Sequence, residues 1–454
     1  MNNERMSYDV IVVGGGPGGS TAACALAKRG RRVLVLEREH FPRYHVGESV
    51  IPFLYQILHR IDALEKVEAA GFQVKSGFQF LSPRGKLTRP IYFNDSIRDA
   101  RSATWHVDRA QYDQLLLEHA AELGVTVRHG ATVSELLRDG DRVVGVRYRD
   151  EDGTSHEVRA SFVIDASGRA TFVSRKLGLR ERDPVLDQLA IWRYLEGGFR
   201  QAHRDEGNII LALLEPKGWF WWFPRSDGTV SVGVVSSASD LKRRGTTLQE
   251  QFERCLQHNP RLVEWASTGK WVGEYRCTGD YSYTSTRFAG EGWALVGDAG
   301  AFIDPVFSSG IWLAQATGWM AAEAIADGLD RGDRSAAVLA DYEVLFRRAE
   351  GVFRIFLDTF YDENFSAGRF LRDHPDLIPE WGRILQGDVF DDNRSFCEYL
   401  MEYRRGLAAQ AGRPAAIHVP DGWAEELAAD GDARVSSPIV PYRDRLEPIE
   451  LAAE

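Results

Sequence analysis

The sequence predicts an α/β fold: a Rossmann-type nucleotide-binding region, an inserted antiparallel sheet and a mainly helical C-terminal region. Three observations carry that expectation. A glycine-rich turn, "GGGPGGS", lies between a wholly apolar run and a helix-like segment. Residues 188–280 are strand-rich and aromatic. Beyond about residue 330 the apolar residues recur mainly at helical spacing.

The elements follow in chain order. "YDVIVV" is a continuous apolar run, as expected of a parallel strand buried on both faces. "STAACALAKRG" has helical period, small residues on one face and Gly30 as its stop. "RVLVLE" is the next strand. Residues 108–123 form an amphipathic helix opened by an Asp cap. Three strand-like segments follow, "VTVRHGATVSELL", "RVVGVRYRD" and "HEVRASFVIDASG". "GWALVGDAG" is one more buried strand, running into the helix "IWLAQATGWMAAEAIADGL". After about residue 410 the chain is irregular and Pro-rich, a tail that either wraps the body or is partly disordered.

At 44% hydrophobic and 27% charged, 454 residues are enough for two or three domains. No apolar run is long enough to span a membrane. The polar N-terminus, "MNNERMSY", does not read as a signal peptide. Cys24, Cys255, Cys277 and Cys397 show neither paired nor metal-ligand spacing, which predicts no metal site and a reducing, cytoplasmic setting. A net charge of -11 argues for solubility and against general nucleic-acid binding.

Gly14, Gly16 and Gly19 satisfy G-x-G-x-x-G. The first two glycines permit a tight turn and a close pyrophosphate approach. The third lets helix and strand pack, and the helix N-terminus offers its N–H groups to phosphates. Glu37 ends the second strand at the distance expected of a ribose-binding acid. The fingerprint alone does not choose between NAD and FAD. "GWFWWFP" (218–224) concentrates three of the twelve tryptophans. As a strand it puts Trp219 and Trp221 on one face and Phe220 and Trp222 on the other, so one face is free to shape a site while the other joins the core.

The downstream motifs choose the cofactor. "DASGR" (165–169) and "ALVGDAGAFIDPVFSSG" (294–310) resemble the flavin-contacting motifs of FAD monooxygenases of the p-hydroxybenzoate hydroxylase type and of geranylgeranyl reductases. That resemblance implies an FAD-binding domain with an inserted antiparallel-sheet substrate domain. It puts Asp298 near the ribityl chain and the helix after Gly310 at the pyrimidine side of the flavin. Arg43 and Arg109 match basic positions in those families, and read equally well as salt-bridging arginines. On these grounds residues 1–335 form the FAD module, with FAD-binding parts near 1–75, 100–180 and 280–335. Its substrate-sheet parts lie near 76–99 and 181–279, and a helical region with its tail spans 336–454.

Three features resemble flavin-dependent halogenases in particular. Trp219-x-Trp221-x-Phe223-Pro224 is similar to that family's W-x-W-x-I-P, with Phe223 for Ile. Phe302-x-x-Pro305-x-x-Ser308-x-Gly310 matches its F-x-x-P-x-x-S-x-G. Lys75 stands where the family carries its catalytic lysine; a lone lysine at a strand edge is otherwise a solvated gatekeeper. The resemblance implies a C4a-hydroperoxide of FADH2, chloride or bromide attacking it, and hypohalous acid guided by Lys75 to an electron-rich ring. An ammonium there either hydrogen-bonds the oxidant or forms a chloramine. Trp219 and Trp221 would wall the substrate off, and Ser309-Gly310 would offer the halide a backbone nest; simple hydroxyl capping of the helix is compatible with that.

Phe307 stands where indole halogenases carry a glutamate. This departure points to phenols or pyrroles, free or carrier-protein-tethered, whose own OH or NH activates the ring. No general base can be named; Asp304, near in sequence, is not favoured. Phe353, Phe356 and Phe360 form a helical stripe that reads as core before pocket. No second G-x-G-x-x-G is present, so a separate flavin reductase is expected to supply FADH2. The alternatives are an FAD-dependent aromatic hydroxylase, a reductase on the same fold, and a flavin-binding scaffold without catalysis.

Overall fold

The structure, a computed structural model, describes residues 8–412 apart from 98–101, 103, 184–185, 216–217, 242–244, 280–281, 303 and 391–392. The tail from residue 413 and the first seven residues lie outside the described residues. The described residues form two compact units, one within 8–40, 116–180 and 285–412, the other within 41–115 and 181–284. The second unit thus takes in 41–75 and 100–115, which the sequence reading groups with the FAD-binding parts. The C-terminal helices group with the first unit.

The first unit is built on a six-stranded sheet in the order 289–290, 293–295, 162–165, 10–13, 33–36, 126–128. All neighbours pair in parallel except the first two strands. The strands Val10–Val13 and Val33–Leu36 are buried at every residue. A strand covered on both faces has no polar side to alternate with, which is why they read as unbroken apolar runs. The helix Pro17–Lys28 follows the glycine turn, and the helix Gly310–Asp330 packs against it through small residues. A Cβ on Gly318 would lie 2.4 Å from the Gly18 carbonyl oxygen, so these backbones touch at van der Waals range. Arg29 ties the pair with bonds of 2.7 Å to both Glu323 and Asp327. A three-stranded antiparallel sheet (132–139, 142–149, 155–159) and the C-terminal helices, among them Ala340–Phe360, complete this unit.

The second unit holds a seven-stranded sheet ordered 270–279, 188–196, 229–237, 219–224, 209–213, 77–81, 91–92. It is antiparallel except where Ile209–Leu213 runs beside Gly77–Leu81. One of its faces carries a core containing Phe220 and Trp222 of the tryptophan strand with Phe252 and Trp265. Phe252 and Trp265 belong to the helices Leu248–Leu256 and Pro260–Ala266, which interrupt what the sequence reading treats as a run of strands.

Candidate active site

The glycine turn is shaped as its spacing requires. Gly14 has φ of +101°, and a Cβ there would sit 2.5 Å from the Ala166 carbonyl oxygen. A Cβ on Gly19 would lie 2.0 Å from the Gly14 oxygen, so helix and turn close only on glycine. Gly16 is the helix N-cap and gives no side-chain cap, which leaves the first-turn N–H groups open toward a phosphate. Glu37 is buried; its Oε2 accepts from Gly15 N at 2.7 Å and its Oε1 from Glu39 N at 2.9 Å. It therefore braces the turn, and each oxygen retains a second lone pair for a ribose hydroxyl. These residues fit the pyrophosphate and ribose of FAD. Asp165 of "DASGR" is wholly buried and spends its oxygens on Ser167 N (3.0 Å) and Val173 N (2.6 Å), a structural role.

A pocket of the same unit is lined by Asp298, Phe302, Asp304, Phe307, Ser309 and Gly310, with Phe353 and Leu357 of a C-terminal helix. Ser308 adopts a left-handed φ of 57° and Ser309 is the N-cap of the helix Gly310–Asp330. No serine hydroxyl caps that helix, so its first N–H groups stay open to an anion. Pro305–Phe307 is a single 3₁₀ turn. Phe307 packs its ring against Phe353, Phe356 and Phe360 at 6.3–6.4 Å between centroids. The stripe therefore serves both as core and, through Phe353, as pocket wall. A glutamate at 307 would face three rings and could not ionise cheaply.

Lys75 lies in the second unit and is buried rather than exposed at a strand edge. Its Nζ donates to Ser49 Oγ and to the Val50 carbonyl, both at 3.0 Å, and stands 5.3 Å from the centre of the Phe93 ring. Burial pulls its ammonium from 10.5 down to about 7. His106, also buried, stacks on Phe223 at 4.4 Å and 15° and donates through Nε2 to the Gly207 carbonyl oxygen at 2.8 Å. Burial, and then the charge of Lys75, hold the imidazole well below its ordinary range, so it is neutral and donates to that oxygen. Phe223 in place of the usual Ile thus supplies a flat partner for this histidine.

Trp219 and Trp221 share the face opposite the core, as strand alternation demands, with ring centres 6.1 Å apart, and Trp192 is 6.4 Å from Trp221. Pro224 ends the strand and is buried. Gly233 pairs with Trp221 across the sheet, and a Cβ on it would lie 2.1 Å from the indole. The indole lies where a side chain would otherwise be.

Glu48 is the feature that sequence reading missed. It is buried, accepts from Ser231 Oγ (3.1 Å) and Tyr194 OH (3.2 Å), and pairs with Arg225 Nε at 3.0 Å. Ser231 in turn accepts from Trp221 Nε1 at 3.1 Å. Trp192 Nε1 donates to Tyr44 OH at 2.7 Å, which is 3.0 Å from Tyr194 OH. Two indoles are therefore tied to one carboxylate, which burial pushes up to about 7 against the pull of Arg225. The only signal in the sequence is "GES" beside Arg43, too short to separate from a turn.

Arg43 and Arg109 meet at the wholly buried Asp113. Arg109 holds it through two bonds of 2.8 Å and Arg43 Nη1 approaches at 3.1 Å. Arg109 Nη1 also donates to the Val46 and Gly47 carbonyls. The pair fastens the segment 43–47 to the helix that opens at Arg109. Among the described residues no cluster of His, Cys, Asp or Glu could hold a metal ion, and no helix is long and apolar enough to cross a membrane.

Fold and site define an FAD-binding oxidoreductase, and residues 7–349 match the family model described as FAD binding domain. A 1H-pyrrole-2-carbonyl-(peptidyl-carrier protein) chlorinase of Pseudomonas fluorescens is 33% identical over 430 residues, 90% of this chain and 94% of the relative. The flavin-dependent halogenase armH3 of Armillaria mellea is 39% identical over 342 residues, 71% of this chain and 68% of the relative. Among solved structures, the flavin-dependent brominase Bmp2 superposes with a TM-score of 0.78 at 29% identity, covering 88% of this chain and 99% of Bmp2. The myxobacterial chondrochloren halogenase CndH gives 0.74 at 34%, covering 89% and 97%. The chain belongs to the flavin-dependent halogenases. It is an enzyme that uses FAD, halide and O2, and the hydroxylase and reductase alternatives are not favoured.

Proposed function

We propose that this halogenase substitutes chlorine or bromine onto a phenol or pyrrole ring, free or carried on a carrier protein, with Lys75 as the residue that meets the oxidant. Bound and reduced FAD supplies the activation of O2 that turns halide into hypohalous acid. Gly14, Gly16, Gly19, Glu37 and Asp298 would hold that cofactor, and the open N–H groups at Ser309-Gly310 would hold the halide. Arg43 and Arg109 would act on it only through the segment they fasten.

The observation that carries the reading is the buried amine of Lys75, held near 7 between Ser49 and Val50. Near neutrality its two forms coexist. The ammonium donates a hydrogen bond that sharpens the halogen of the oxidant; the free amine is nucleophilic and forms a haloamine with loss of water. A dry surrounding and a short tether suit either route. Trp219 and Trp221 would form a wall, since their rigid indoles fill space and exclude water. Phe307 favours a ring that brings its own activating OH or NH. The pyrrole chlorinase of Pseudomonas fluorescens and the pyrrole brominase of Pseudoalteromonas luteoviolacea support a carrier-bound pyrrole as the first candidate. A separate reductase would deliver FADH2. The four cysteines, scattered along the chain, fit a cytoplasmic setting.

The test is mass spectrometry of phenols and pyrroles, free and carrier-tethered, after incubation with FAD, a flavin reductase, NADH, O2 and chloride or bromide. A halogen isotope pattern that vanishes in Lys75→Ala is expected. Gain of one oxygen regardless of halide would overturn the reading.

A further inference from the structure

We propose that Asp304 is the proton acceptor of the halogenation, taking the hydrogen that leaves the ring carbon once the carbon–halogen bond has formed. The assignment rests on the reading that an electron-rich ring is the substrate. It supplies the base that the sequence does not name.

Asp304 lines the same pocket as Phe307, Ser309, Gly310 and Phe353. It is 8% exposed, among aromatic and aliphatic neighbours where the carboxylate charge is costly to keep. Its Oδ1 accepts from Val306 N at 2.9 Å and its Oδ2 from the Tyr361 hydroxyl at 3.0 Å. Each oxygen keeps a further lone pair for a proton. Asp304 stands three residues before Phe307, across the single 3₁₀ turn Pro305–Phe307. Asp304 is the extended N-cap of that turn, and it lines the same pocket as the Phe307 that closes the turn. Burial raises this carboxyl to about 7, where it can take a proton and release it again.

The bookkeeping is that of electrophilic substitution. A π pair of the ring forms the bond to halogen, and the bond from halogen to oxygen or nitrogen breaks with its electrons on that atom. The ring is left cationic. The C–H pair then returns to the ring and the proton passes to Asp304, whose charge the Tyr361 hydroxyl stabilises beforehand. Asp304 also caps the turn, and that alone would account for its burial. Asparagine separates the two roles, because its amide oxygen accepts from Val306 N equally well but takes no proton.

The experiment compares the full-length FAD-loaded wild type and Asp304→Asn, with the reductase, on a phenol or pyrrole deuterated at the substituted carbon. We expect kcat to fall by about 100-fold, with KM and melting temperature unchanged and a deuterium isotope effect on kcat that is absent in the wild type. Tyr361→Phe, which keeps the carboxylate, is expected to give a smaller fall with the same isotope signature. It decides the matter if Asp304→Asn proves unstable. Wild-type kcat without an isotope effect in both variants overturns the assignment of Asp304 alone. A wild type that halogenates no ring overturns the substrate reading and this assignment with it.

Discussion

Replacing Lys75 by methionine should make the protein inactive and, at neutral pH, more stable. Methionine fills nearly the same volume without the amine. Burial takes the ammonium from 10.5 to about 7, which at roughly 1.4 kcal/mol per pH unit disfavours the protonated folded state by about 5 kcal/mol. Since the amine binds its proton more tightly in the unfolded chain, unfolding takes up protons between pH 7 and 10.5. Wild-type stability therefore rises with pH across that window, and the full cost is borne below 7. Against the relief of that cost stands the loss of a donor to Ser49 and Val50, worth about 1–3 kcal/mol at any pH. The net expectation is a gain of about 2–4 kcal/mol for Lys75→Met at pH 6–7, shrinking with rising pH and turning into a loss near pH 10. Urea unfolding of both proteins at intervals from pH 6 to 10 reads this directly. Parallel pH profiles for the two would refute the buried-amine argument, and with it the reason for placing this lysine in a dry site.

Three further outcomes follow from the same unit. Gly233→Ala drives a methyl into Trp221 and should cost about 1–3 kcal/mol in a denaturant titration while raising hydrogen peroxide release per turnover; an unchanged uncoupling ratio would count against the tryptophan wall. Glu48→Ala takes away one of three carboxylates around Arg225, which keeps Asp108 and Asp227, and leaves Ser231 and Tyr194 without their acceptor; it should destabilise by about 1–3 kcal/mol, whereas Glu48→Gln, still able to accept from Ser231, should lose less. Asp113→Asn removes the charge that gathers Arg43 and Arg109; calorimetry should show weaker FAD binding through the loosened 43–47 segment, and unaltered affinity would reduce the cluster to a purely stabilising role.

The parts that were legible in the sequence are those whose physics is local. A strand covered on both faces has to be apolar throughout, and a turn that brings strand, helix and phosphate together has to be glycine; Val10–Val13 and Gly14 announce both. Alternation divided the tryptophan strand correctly, with Phe220 and Trp222 in the core and Trp219 and Trp221 opposite. The helices Leu248–Leu256 and Pro260–Ala266 do carry local start signals: Thr247 and Glu250 form a capping box, and Asn259-Pro260 opens the second helix. The aromatic richness around them masked the change of period. What sequence could not give is long-range satisfaction. Glu48 lies 183 residues from Ser231, and nothing local marks the two as partners. Asp304 looks like an ordinary turn acid until Tyr361, 57 residues on, is found bonded to it.

The seven-stranded sheet has a consequence for how the protein is born. Its strand Gly77–Leu81 has the parallel partner Ile209–Leu213, which leaves the ribosome about 130 residues later. At a synthesis rate of roughly 5–20 residues per second, an apolar edge waits about ten seconds for its neighbour. Parallel pairing across such a gap is slow to form even when both strands are present. The nascent chain is then most exposed to aggregation midway through translation, and soluble yield in a foreign host should depend on elongation speed and chaperone supply more than on the stability of the finished fold.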